Sequence, residues 1–194
     1  MNTIAQTLAL ELNKNLQHVE NVIALLDDGN TIPFIARYRK EMHGTMDDTT
    51  LRTLETRLNY LRNLEQRKLE VSNSIDTQGK LTEELSAAIH AAVTLAEVED
   101  LYRPYKQKRR TRATVAKEKG LEPLALEIFA QNGEDPQVLA MDYVDAEKGV
   151  ETVEDALEGA SDIIAEMISD DADIRKALRL KMERQAIISV QAVD

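Results

Sequence analysis

Cysteine is absent from the 194-residue chain. Its absence excludes disulfides, thiolate metal sites and a cysteine nucleophile, and fits a reducing compartment. Tryptophan is absent too, and aromatics make up only 4% of the residues. Packing therefore falls to Leu, Ala, Ile, Val and Met, which suits helices. Seven glycines and four prolines are too few turn residues for a many-stranded all-β fold. No stretch approaches the ~18 consecutive apolar residues of a membrane span. The N-terminus, MNTIAQTLALELNKNL, has neither a basic start nor a long apolar run, so it reads as an amphipathic helix and not as a signal peptide. A cytoplasmic protein with no membrane partner is expected.

What is present is a 43% hydrophobic chain, enough for one large domain or two small ones, with a formal net charge of -11. That charge is unevenly placed. Residues 1–100 carry a net -6, residues 101–120 a net +7, residues 121–174 a net -15 and residues 175–194 a net +3. A basic island thus sits beside an acidic tract, and a phosphate responds to local and not to average charge.

The hydrophobic spacing reads as helix almost throughout, so the expected fold class is all-α, a multi-helix array. Ile4, Leu8, Leu12 and Leu16 predict a first helix, and Val19 to Leu26 a second, stopped at DDGN. Thr31 and Pro33 open a short third helix reaching about Arg39. Residues 47–78 contain no Gly or Pro, and Leu51, Leu54, Leu58 and Leu61 alternate by three and four. They predict one long central helix of about 28 residues, coiled-coil-like in its stripe, with Asp47 or Asp48 as its cap. Helices follow from Thr82 to about Ala92 and through Leu95, Val98 and Leu101, ending before Pro104. Pro104 then holds a basic loop to about Arg112, and a short helix runs from near Thr114 to Gly120. Beyond Glu122 a helix, the turn NGEDP and two further helices are expected, the first on the stripe Val153, Ala156, Leu157, Ala160, Ile163, Ile164, Met167 and Ile168. The terminal AIISVQAVD is apolar with no partner to close it, so the sequence reads as a fragment. Shifts in composition divide the chain into 1–45, 46–102, 103–120 and 121–194.

The sequence shows no phosphate-binding glycine loop, no nucleophile elbow and no zinc-binding helix motif. His18, His43 and His90 are scattered and sit in no ligand spacing. The acids of EDALEGASDIIAEMISDDAD lack the alternation of a calcium loop and read as a solvated helix face. No enzyme activity, metal or cofactor is expected. The basic stretch is the one with chemistry to offer: Arg103, Lys106, Lys108, Arg109, Arg110, Arg112, Lys117 and Lys119, flanked by Tyr102 and Tyr105. Flexible cations suit phosphates, and tyrosine rings suit bases. The same cations also suit the acidic tract that follows, or an acidic partner, and the residues alone leave the three open.

TIPFIARYRKE (Thr31–Glu41) and EDLYRPYKQKRRTRATVAKEKGLEPLA (Glu99–Ala125), together with VEDALEGASDIIAEMISDDADIRKALR (Val153–Arg179), resemble the N-terminal region of the bacterial Tex family of transcription accessory proteins. The resemblance spans essentially the whole chain. One departure is MHGTMDD (Met42–Asp48), where a second glycine is usual. The resemblance implies a helical N-terminal scaffold with a helix-turn-helix-like part. RNase H-like, helix-hairpin-helix and OB-fold domains would follow Asp194. It further implies nucleic acid, chiefly RNA and with DNA as a second candidate, as the partner of the whole protein. The transcription machinery and the other domains of the same chain are further implied partners. A purely structural or protein-interaction scaffold is the alternative for this portion.

Overall fold

The computed structural model describes residues 3–107 and 109–190. Among these the fold is all-α, with twelve α-helices, two short 3-10 turns and one isolated β-bridge, between Asp145 and Val150. No helix among the described residues is long and apolar enough to cross a membrane. The chain forms two compact units. The first comprises Met1–Leu81 and Val93–Leu95, the second Thr82–Ala92 and Ala96–Asp194.

In the first unit α1 (Ile4–Glu11) opens with a capping box. The Thr3 side chain accepts from the Gln6 N–H, and the Gln6 side chain accepts from the Thr3 N–H. Asn15 caps α2 (Leu16–Asp27), and Pro33 sits in the first turn of α3 (Ile32–Tyr38). The expected single helix to Arg39 continues differently. Arg39 leaves the helical region (φ -130°, ψ 36°) and the chain resumes as one separate turn, α4 (Lys40–His43). Gly44 (φ 57°) and Thr45 (φ 62°) then reverse the chain in consecutive left-handed conformations. A Cβ at Gly44 would lie 2.0 Å from the His18 ring, so only glycine fits there.

Helix α5 (Asp48–Asp76) has 29 residues and begins at Asp47, whose carboxylate accepts from the Thr50 N–H at 2.7 Å. At ~1.5 Å per residue it is roughly 43 Å long. Its stripe Leu51, Leu54, Leu58, Leu61 and Leu64 is buried, and α1, α2 and α3 pack on it. Two bidentate ion pairs tie those helices to α5. Arg57 binds Glu11 (2.7 and 2.8 Å) and Arg62 binds Asp27 (2.7 and 2.8 Å). The arginine hydrogen bonds hold both carboxyls below their ordinary pKa.

The second unit holds α6 (Glu83–Ala91), α7 (Leu95–Tyr102) from Ala96 onward, α8 (Arg112–Glu118), α9 (Glu122–Ala130), α10 (Pro136–Met141), α11 (Val153–Asp170) and α12 (Ala172–Gln185). Helix α11 is its axis, started by a Thr152–Asp155 capping box and packed by α8, α9 and α10. The core is built largely of small residues, Ala113, Ala116, Ala125, Ala140, Ala156 and Ala160, with Leu121, Leu124 and Ile163. Small side chains let α8 lie close to α11. A Cβ at Gly159 would come within 2.4 Å of Leu121 Cδ1 and 3.3 Å of Ala116 Cβ. Helix α10 was not expected. Asp135 caps it and Pro136 starts it, so the NGEDP turn runs directly into a helix too short to show a period.

Candidate nucleic-acid interface

The structure corrects two expectations, one for the basic segment and one for the acidic helix beside it. Pro104 does not hold an extended loop, because Arg103–Tyr105 form a 3-10 turn continuing from α7. The following helix, α8, starts at Arg112, two residues ahead of Thr114. Thr111 caps it by accepting from the Thr114 N–H at 3.0 Å. Nor is the acidic face of α11 simply solvated. Asp162, Glu166 and Asp170, one helical turn apart, receive groups from the basic segment.

Arg103 donates through Nε to Asp170 Oδ1 at 2.9 Å, and Asp170 is buried. Lys106 pairs with Glu99, and its ammonium lies 5.4 Å from the centroid of the Tyr102 ring. Arg110 pairs with Glu118 at 2.7 Å, Arg112 approaches Asp162 at 3.7 Å, and Lys117 meets Glu122 at 3.2 Å. Lys119 donates to the Gly149 carbonyl at 2.7 Å. Thr111 Oγ1 reaches Glu166 Oε1 at 3.1 Å. Tyr102 and Tyr105 are half-buried. Arg109 is exposed and makes no ion pair or hydrogen bond among the described residues. Lys108 lies outside the described residues.

Of the grooves that border the segment, two carry several charges of each sign. One, of about 380 Å³, has Arg110, Arg112 and Lys119 facing Asp155, Glu158 and Asp162. The other, of about 480 Å³, has Arg103, Lys106 and Arg109 beside Glu166 and Asp170. A polyanion laid in either would meet carboxylates as well as cations.

A second charged cluster escaped the sequence reading. Asp100 on α7 is buried and accepts from Arg175 Nε at 2.6 Å and from Arg179 Nη2. Burial pushes the Asp100 carboxyl up, but the hydrogen bonds from Arg179 and Arg175 outweigh it and hold the group below the ordinary aspartate value. Lys176 pairs with Glu97 at 2.8 Å, and that bond raises its own pKa. Three cations of α12, Arg175, Lys176 and Arg179, therefore bind α7. Arg175 and Arg179, spaced by four, do lie on one helix face. Their target 75 and 79 residues away left no trace in local pattern.

Comparison with known proteins places the chain. Residues 2–76 match the Tex-like protein N-terminal domain, and residues 131–194 match the Tex central region. Protein tex of Bordetella pertussis is 51% identical over 91% of the chain. The transcriptional accessory protein Tex of Neisseria gonorrhoeae is 45% identical over 98%. The human S1 RNA-binding domain-containing protein 1 is 34% identical over 82%. The chain belongs to the Tex family. It spans 22% and 25% of the length of those two bacterial relatives, and 16% of the human one.

Proposed function

We propose that the chain is a non-catalytic helical scaffold within a larger cytoplasmic transcription accessory factor that binds nucleic acid, RNA above all. Residues 103–119 hold this scaffold together by pairing with the chain's own acids. The observation that carries the reading is that Arg103, Lys106, Arg110, Arg112 and Lys117 each lie against a carboxylate of the second unit, and Lys119 against a carbonyl. The transcriptional role draws support from the name of the Neisseria relative, and RNA from the name of the human one.

A second reading, in which the segment itself grips phosphates, is favoured by the exposure of these pairs. Arg112 is 83% exposed and Arg110 68%, and an exposed pair contributes at most ~1 kcal/mol. The two readings separate in a titration of labelled single-stranded RNA and duplex DNA at ~50 and ~200 mM salt, with the chain and its Arg109→Glu/Arg110→Glu variant. The scaffold reading expects the charge reversal to leave any affinity unchanged. Loss of affinity in the variant would overturn it in favour of the phosphate grip.

A further inference from the structure

Helix α3 in the first unit presents a surface that the internally paired segment does not. Ile32 and Ile35 are buried, and α3 packs on α5. Helices α2 and α4 also pack on it, and Phe34, Arg37 and Tyr38 are exposed. Phe34 is 36% exposed and Tyr38 56%, spaced by four on one face, with ring centroids 5.3 Å apart and planes tilted by 49°. The Arg39 guanidinium lies 5.1 Å from the centroid of the Phe34 ring. Arg37 and Lys40 are exposed, and neither makes an ion pair among the described residues. Residues 31–40 carry these three cations and no acid, in a chain of net charge -11.

Each feature has a bland explanation alone. A single exposed aromatic is ordinary, and so is a solvated arginine. The combination is not ordinary here, because the chain has only seven Phe and Tyr residues and two of them stand in contact on the surface, with unpaired cations around them. Exposed rings lose contact with water when a flat π-system covers them. Among the described residues Arg37 and Lys40, unlike Arg103, Lys106, Arg110, Arg112 and Lys117, have no carboxylate to release before they can bind a phosphate. Arg39 already stacks on Phe34, as arginine does beside a base.

We propose that Phe34, Arg37, Tyr38, Arg39 and Lys40 form a binding site for single-stranded nucleic acid, with one base stacked on the Phe34–Tyr38 pair and the flanking phosphates held by the cations. The site is sequence-tolerant, because every base has a face to stack and no Asn or Gln stands in the patch to read an edge. It discriminates single strands from duplex, whose bases are not free to stack. It stands whether or not residues 103–119 touch phosphate.

The test is a fluorescence-anisotropy titration of labelled oligo(U) RNA, oligo(dT) DNA and a DNA duplex with the 194-residue chain. Phe34→Ala/Tyr38→Ala, Phe34→Trp/Tyr38→Trp, Arg37→Glu/Lys40→Glu and Arg109→Glu/Arg110→Glu are measured beside it. Circular dichroism and thermal melts establish that each variant is folded. The expected result is binding to one or both single strands, with the RNA and DNA arms telling which sugar is preferred, and weaker binding to duplex. Loss of both rings weakens it about tenfold or more, and tryptophan restores it. With three phosphate contacts, affinity falls about 20-fold between ~50 and ~200 mM salt. The inference is overturned if a folded alanine variant binds as the parent does, or if the parent binds neither single strand. It is also overturned if the Arg109/Arg110 reversal alone abolishes binding while the ring variant retains it, and that result would overturn the scaffold reading too.

Discussion

Arg103, at the head of the basic segment, donates to Asp170, the last residue of α11, at 2.9 Å. The positive island and the acidic tract therefore close on each other within one unit. Asp170 is nearly buried while Arg103 is 44% exposed on its side chain. The carboxylate depends on its partner more than the arginine does. The contrast in net charge along the chain, +7 over residues 101–120 against -15 over residues 121–174, is in this sense a structural feature of the second unit.

The buried clamp on Asp100 makes the second unit sensitive to acid. Folding lowers the proton affinity of Asp100, so the unfolded chain takes up the proton first as pH falls. Stability from this group is complete above the ordinary aspartate value of 3.8 and is lost as pH drops through the lower folded value. Asp100→Asn should cost about 2–3 kcal/mol at pH 7, since it leaves Arg175 and Arg179 without a counter-charge. It should also flatten the stability profile below about pH 4. Urea denaturation followed by circular dichroism across pH 3–7 checks both.

Gly159→Ala opposes two effects. Alanine favours a helix by about 1 kcal/mol over glycine. Its Cβ, however, would lie 2.4 Å from Leu121 Cδ1, and Leu121 is almost fully buried. Overpacking of this kind costs typically ~1–3 kcal/mol, so net destabilisation is expected, with α8 pushed from α11 and Arg112 from Asp162. A urea midpoint higher than that of the parent would show that the helices separate at little cost.

Thr45 adopts φ 62° with a β-branched side chain, at the loop where the family resemblance leads one to expect a second glycine. Thr45→Gly relieves strain of ~1–2 kcal/mol, and glycine's looser unfolded chain takes back part of it. The expected outcome is a thermal midpoint higher by about 2 °C. Thr45→Val, with the same branching and no hydroxyl, should not raise it.

The elements legible in the sequence are those with an internal period. The Leu51–Leu54–Leu58–Leu61 stripe is buried as its spacing requires, and Asp47 and Thr82 cap where a carboxylate or hydroxyl precedes an apolar period. Helices α4 and α10 have four and six residues, less than two turns, so no period could reveal them. The basic segment was legible as charge but not as partnership. Arg103 and Asp170 are 67 residues apart, and the packing of α8 on α11 decides that they meet. His43 shows the same limit. It reads as a surface or partly packed residue outside any ligand spacing, and it is in fact buried, with neither ring nitrogen hydrogen-bonded among the described residues. The exposed Phe34 and Tyr38 lie in a stretch legible as a short helix and as part of the family resemblance but not as a surface, because alternating apolar and basic residues on a short helix do not say which face is covered.

The most direct test of the internally paired segment is a double-mutant cycle on Arg103→Gln and Asp170→Asn, measured by urea unfolding of the two single variants, the double variant and the parent. A coupling of about 0.5–1 kcal/mol is expected. It should shrink when salt is raised from ~0.1 to ~1 M, because the pair is partly exposed. Single-variant effects that simply add, with no coupling at low salt, would contradict the pairing and return the arginine to the set of cations open to phosphate.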